Sequence, residues 1–311
     1  MSLDLSPYRH LYPFESRWFT IGGHQCHYVD EGQGEPIVLV HGNPTWSFYF
    51  RSLIAGLRDR YRVIAVDHIG CGLSDKPGDD TYDYVLERRV TDLEALLDHL
   101  QLGTSLTFGL HDWGGMIGTA VALRRIDRVG RIMLFNTAAF LSPPGKPLPK
   151  RLWIIRNLTP LAAVLVRGLN AFSGLATRMA CVKRLPSDVR AAYRAPYDSW
   201  SNRIATLRFV QDIPMRPTDP SFALAKWVDD NVERLRDVPA LICWGDRDFV
   251  FDADFLAEWR DRLPGATVHR FPDAGHYVLE DAGDAILPLV RRFLEQHPIE
   301  RTLPARMETA S

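Results

Sequence analysis

Short all-apolar runs alternate with helical stripes along this chain. P-I-V-L-V at 36–40 and R-V-I-A-V at 62–66 read as strands buried on both faces. Tyr84–Leu100 sets Leu86, Val90, Leu93, Leu96, Leu97 and Leu100 at helical spacing, which predicts an amphipathic helix. S-L-T-F-G-L at 105–110 is again strand-like, and a helical pattern opens at Gly114-Gly115. R-I-M-L-F-N-T, P-A-L-I-C-W-G and A-T-V-H-R-F repeat the strand pattern, and a last helix is predicted from about Asp281 to Gln296. Near the start, R-W-F-T-I-G-G-H-Q-C-H-Y-V-D reads as a hairpin turning at Gly22-Gly23. Buried strands alternating with amphipathic helices predict an α/β fold with a mostly parallel, doubly wound sheet.

The rhythm breaks after Phe140. S-P-P-G-K-P-L-P is a proline-rich linker, and residues 151–225 read as helix without strand. The expected division is a first part of the α/β core at 1–140, a helical cap insertion at 141–225, a second part of the core at 226–298 and a disordered polar tail at 299–311. An insertion at this point sits over the carboxyl ends of the strands, where open α/β sheets bind ligands. From Leu152 to Ala176 it is unusually apolar. Three readings stay open: cap helices packed on one another, a lining for long alkyl chains, or a surface that meets another protein. Arg156 and Arg167 interrupt the run, and nothing approaches the roughly 20 apolar residues of a membrane span.

Composition narrows the classes. A net charge of −1 gives no electrostatic case for a nucleic-acid partner. Cys26, Cys71, Cys181 and Cys243 are scattered without zinc-like spacing, which suits buried thiols in a reducing compartment and calls for no metal. Met1–His10 lacks an apolar signal core, so a cytoplasmic protein is expected. D-H-I-G-C-G-L-S-D-K-P at 67–77 lacks both dinucleotide and P-loop spacing; it reads as a structural loop, and no cofactor is expected.

The chemistry centres on F-G-L-H-D-W-G-G-M-I-G at 108–118. Strand, sharp Gly-rich turn and helix make a nucleophile elbow, and the nucleophile position holds Asp112. A carboxylate attacking carbon forms a covalent ester. The bland alternative is an Asp that caps the next helix. His41-Gly42-Asn43-Pro44 follows the strand at 36–40. Backbone N–H groups of Asn43 and Trp113 fall at the oxyanion positions of such a fold, and both side chains carry further donors suited to a departing anion. His276 lies after the last strand pattern and can reach the elbow as a base. His111 should point the other way from its strand, and His41 reads as tying its own loop. The acid that orients the His is Asp248 or, two residues earlier, Asp246; Asn136 and Thr137 at the end of another strand offer no carboxylate.

H-G-N-P-T-W-S-F-Y-F-R, D-H-I-G-C-G-L-S-D-K-P and H-D-W-G-G-M-I-G together resemble the haloalkane dehalogenase branch of the α/β-hydrolase superfamily, over roughly residues 25–295. The resemblance implies an α/β-hydrolase fold with Asp112 attacking, Asn43 and Trp113 holding the leaving anion, and Asp248 with His276 activating water. An acid after Trp244 with Asn after His-Gly is like the third dehalogenase subfamily. N-T-A-A-F, R-A-P-Y-D-S-W-S-N-R, R-F-V-Q-D-I-P and D-A-G-H-Y-V-L-E-D look most like the β-lactone decarboxylases of bacterial olefin biosynthesis within it. That group would turn a cis-3-alkyl-4-alkyloxetan-2-one into a cis-alkene and carbon dioxide. It implies a hydrophobic substrate with alkyl chains and, by resemblance alone, other olefin-pathway enzymes as partners. Spacing does not separate this reaction from dehalogenation. Epoxide hydrolases share H-D-W-G-G and use two cap tyrosines; Tyr193 and Tyr197 are available here and are expected to line the pocket.

Overall fold

The computed structural model describes residues 3–299 apart from Thr104 and Pro144. Of the tail expected to be disordered, 300–311 lie outside the described residues. Eight strands form one sheet: β1 (Arg17–Ile21), β2 (His24–Glu31), β3 (Pro36–Val40), β4 (Arg62–Val66), β5 (Leu106–Asp112), β6 (Val129–Thr137), β7 (Ala240–Gly245) and β8 (Thr267–Phe271). Their spatial order is β1-β2-β4-β3-β5-β6-β7-β8. The β1–β2 hairpin turns through Gly22 and Gly23, both at positive φ, and β2 is antiparallel to β4. Every other pairing is parallel.

Period-two alternation explains the two layers. Val38, Val40, Ile64, Val66, Phe108, Leu110, Leu134 and Ile242 face one core with helices α2 (Leu86–His99) and α3 (Trp113–Arg124). Ile37, Leu39, Val63, Ala65, Met133, Phe135, Leu241 and Cys243 face the other with α1 (Arg51–Leu57) and the last helix, Val278–Gln296. Each fully buried aliphatic side chain contributes about 1.5–3 kcal/mol. The last helix begins three residues before the periodicity predicts, because a non-helical Ala282 breaks its register.

Between β6 and β7 the described chain is helical: α4 (Lys150–Asn157), α5 (Thr159–Ala162) running into a π-helical turn (Ala163–Gly168), α6 (Ala171–Met179), α7 (Ser187–Arg194), α8 (Ile204–Gln211) and α9 (Phe222–Asn231). After β7 come α10 (Ala253–Arg262) and, after β8, α11 (Val278–Gln296). Helix α9 runs through residue 225, and its Ala225 and Val228 join the core beside α3. We therefore propose 141–220 as the cap, with the core resuming at Ser221. The cap's own buried cluster is small: Ala162, Val166 and Leu207.

Candidate active site

Asp112 ends β5 at φ 52°, ψ −125°, a conformation that costs a non-Gly residue about 1–3 kcal/mol. The elbow is tight because α3 starts against the neighbouring strand. A Cβ on Gly114 would lie 1.9 Å from the Val40 carbonyl oxygen, which is fixed backbone. Gly114→Ala should therefore destabilise the protein by about 3 kcal/mol in denaturant unfolding; a loss under about 0.5 kcal/mol would show that the approach is not this close. Thr137 at the end of β6 donates its hydroxyl to the Asp112 carbonyl at 2.5 Å. The backbone turns and the carboxylate is presented; it does not cap α3, whose first turn it leaves uncapped.

The carboxylate meets two partners. Asn43 N–H donates to Oδ1 at 2.7 Å, and His276 Nε2 lies 3.4 Å from Oδ2. The His276 Nδ1–H donates to Asp248 Oδ2 at 2.8 Å. Asp248 is buried and held by the Val250 N–H at 2.7 Å and the Asn136 amide at 3.0 Å. Asp246 instead lies apart, paired with Arg270 at 2.9 Å. Of the two candidate acids, the fold brings Asp248 to the histidine.

Burial opposes a charged imidazole, but Asp248 and Asp112 outweigh it and raise His276 to about 10. Burial likewise opposes the Asp112 anion, and His276 overrides it to hold Asp112 below its ordinary value. Asp112 and Asp248, on opposite sides of the ring, thus favour the protonated form of His276. The His276 contribution to stability is complete below about pH 6.5 and lost as pH rises through about 10. That of Asp112 is complete above about pH 4 and lost as pH falls below it.

Asn43, Asp112, Trp113 and His276 share one cavity of about 680 Å³, within the range of small-molecule sites. Its walls are apolar: Met116, Phe140, Leu152, Ile155, Leu165, Phe172, Leu175, Val210, Ile213 and Phe251. The Trp113 indole N–H has no hydrogen-bond partner among the described residues and is free for a ligand. Asn43 differs from expectation: its Nδ2 donates to the Thr206 carbonyl on α8 at 3.0 Å, so one N–H is anchored to the cap and one remains. Tyr193 and Tyr197 do not line the cavity. Their buried hydroxyls are spent on Glu280 and on the Thr45 carbonyl, which removes the epoxide-opening pair.

The loop at 67–77 is structural. Buried Asp67 accepts from the backbone of Ser47 and Leu73 and from His27. His41 donates to the Gly42 carbonyl and accepts from the His68 N–H, tying its own loop. Two positions at strand ends carry more than their sequence suggested. Asn136, set aside for lacking a carboxylate, bridges Gly245 and Asp248 and so holds the acid. His111 points away from the cavity, yet its Nε2–H donates to the His276 carbonyl at 3.0 Å and its ring stacks on Tyr49. Burial and the nearby His276 charge lower His111 to about 3, so it stays neutral. Polar residues ending otherwise apolar strands were the available signal for both.

A family model described as the alpha/beta hydrolase fold matches residues 35–283. The chain belongs to the alpha/beta hydrolase fold family. It is 51% identical over 288 residues to a cis-3-alkyl-4-alkyloxetan-2-one decarboxylase of Shewanella oneidensis, covering 92% of this chain and 90% of that one. To the decarboxylase of the same name from Xanthomonas campestris pv. campestris it is 47% identical, covering 88% and 93%. The crystal structure of the haloalkane dehalogenase DatA from Agrobacterium tumefaciens C58 superposes with a TM-score of 0.81 at 25% identity, covering 91% and 96%. Within this family fold the strand ends of β3, β5 and β7 and the loop after β8 bring the Asp112 carboxylate, the Asn43 and Trp113 N–H donors and the Asp248–His276 pair around one apolar cavity. The arrangement suits opening a carbon–heteroatom bond by carboxylate attack.

Proposed function

We propose that this enzyme converts a cis-3-alkyl-4-alkyloxetan-2-one to a cis-alkene and carbon dioxide. The observation that carries the reading is 51% and 47% identity, over nearly the whole chain, to two decarboxylases of that name. The site residues support it. Asp112 Oδ2 attacks the ring carbon bearing oxygen. The carbon–oxygen bond breaks and leaves a carboxylate, which Asn43 and Trp113 receive. The bond to that carboxylate then breaks as carbon dioxide, its electrons form the alkene, and the ester oxygen returns to Asp112. Inversion in the first step and anti departure in the second give the cis product. No water or proton enters. An imidazolium at His276 stabilises Asp112 as it leaves; hydrolysis would require that imidazolium to lose its proton first.

The apolar cavity walls suit two alkyl tails. In this reading the lactone comes from other enzymes of long-chain olefin biosynthesis in the cytoplasm. The second reading is haloalkane dehalogenation, favoured by the intact acid–His pair, which a decarboxylation does not need for water. The purified protein, offered a long-chain cis-β-lactone and separately a 1-bromoalkane, is expected to release alkene from the first far faster than bromide from the second; the reverse order sinks the proposal. Trp113→Phe removes the free indole N–H and keeps most of the ring's bulk. Its kcat on the lactone should fall about 10²–10³-fold, and a wild-type kcat would show that the indole only packs.

A further inference from the structure

The cap presents its apolar side chains outward as well as into the cavity. Leu169 is 69% exposed, Val164 53%, Trp153 51% and Leu161 47%. Leu175 and Met179 are half exposed and also line the cavity, so the outer apolar surface is continuous with the cavity wall. Five lie on α4, α5, the π-helical turn and α6, and Leu169 just after the turn; these elements pack in sequence on one another. No single described helix is long and apolar enough to cross a membrane.

Charge makes this surface specific. Between Lys150 and Arg194 there are nine Lys or Arg and one carboxylate, Asp188, in a chain whose net charge is −1. Beside Met179, a second cleft of about 310 Å³ is lined by Arg178, Lys183, Arg184 and Arg190. Arg190, one of the residues lining it, has a buried Nε with no hydrogen-bond partner among the described residues. A basic cleft with an unpaired guanidinium nitrogen, next to exposed leucines and a tryptophan, matches a phosphate headgroup above an acyl layer.

We infer that the cap docks on an anionic phospholipid surface, seating headgroup phosphate in the Arg178–Arg190 cleft and Trp153, Leu161 and Leu169 in the outer acyl region. The half-exposed cavity wall at Leu175 and Met179 then faces the bilayer, so that a two-tailed lipid substrate enters, and an alkene leaves, without crossing water. The docking does not depend on which reaction the site performs, and its test does not use turnover.

The full chain is mixed with sedimenting vesicles of phosphatidylcholine alone or with one part in three phosphatidylglycerol. Binding is expected only with the anionic vesicles and should weaken as salt is raised. Arg178→Glu with Arg184→Glu should lower vesicle affinity by about tenfold or more, and Leu161→Ser with Leu169→Ser should lower it as well. Equal binding to neutral vesicles, or none to either, would overturn the inference. So would inorganic phosphate binding in the cleft without vesicle binding. A dimer in analytical ultracentrifugation that the leucine variant abolishes would assign the face to a second copy instead, and capture by a purified olefin-pathway enzyme that excludes vesicles would assign it to that protein.

Discussion

Asp112→Asn is expected to fold like the wild type and to lose turnover on the lactone by at least about 10³-fold, or about 4 kcal/mol of transition-state stabilisation. The amide is nearly isosteric, and its oxygen can still accept the Asn43 N–H that Asp112 Oδ1 accepts at 2.7 Å. The elbow, the cavity and the donors survive. What is lost is the anion that forms the ester, together with the charge that helps raise His276. The loss should therefore fall in kcat and be shared by every substrate the site takes. Mass spectrometry must exclude deamidation back to Asp. A variant near wild-type rate would mean that another group, or water directly, attacks the substrate.

His276→Phe is expected to cost about 10²–10³-fold and to change the pH profile. In the wild type the His276 ring sits between Asp112 and Asp248, 3.4 Å from one and 2.8 Å from the other. Without it both carboxylates are buried with no cation between them. The Asp112 pKa should rise, because burial already pushes it upward and the opposing histidine is gone. The variant's rate should then climb with pH through the range where the wild type is flat. The intermediate distinguishes the two chemistries. From the lactone, Asp112 is regenerated when carbon dioxide leaves, so intact protein should show no stable adduct. From a 1-bromoalkane, an alkyl ester of Asp112 would persist for want of an activated water and add the mass of the alkyl group. A stable adduct from the lactone would show that the second step is hydrolytic.

Much of this was legible in the sequence because the strands are short and buried on both faces. Runs such as P-I-V-L-V and R-V-I-A-V carry no period, but they are too short for helices and rich in β-branched residues, which marks them as buried strands. Asp112 could be found from its glycines, since only a residue-free approach at Gly114 lets α3 start so near β3. The choice between Asp246 and Asp248 could not. Both follow β7 within three residues, and the difference is which one turns inward to Asn136 and His276 and which one meets Arg270. The same holds for Tyr193 and Tyr197: helical spacing made them neighbours, but only three-dimensional packing shows their hydroxyls engaged by Glu280 and Thr45. The positioning parts of Asn136 and His111 arise from contacts more than 100 residues apart in the chain. The cap's apolar run leaves three readings open in the sequence because helical spacing alone does not say which side chains of α4 and α6 line the cavity and which face outward.

The central claim is that Asp112 opens the lactone and is released by loss of carbon dioxide. A single turnover of purified protein with a long-chain cis-β-lactone in oxygen-18 water tests it most directly, with products and intact protein read by mass spectrometry. The expected result is a cis-alkene and one carbon dioxide per lactone, with no oxygen-18 in Asp112. A β-hydroxy acid carrying solvent oxygen, or oxygen-18 in the Asp112 carboxylate, would contradict it.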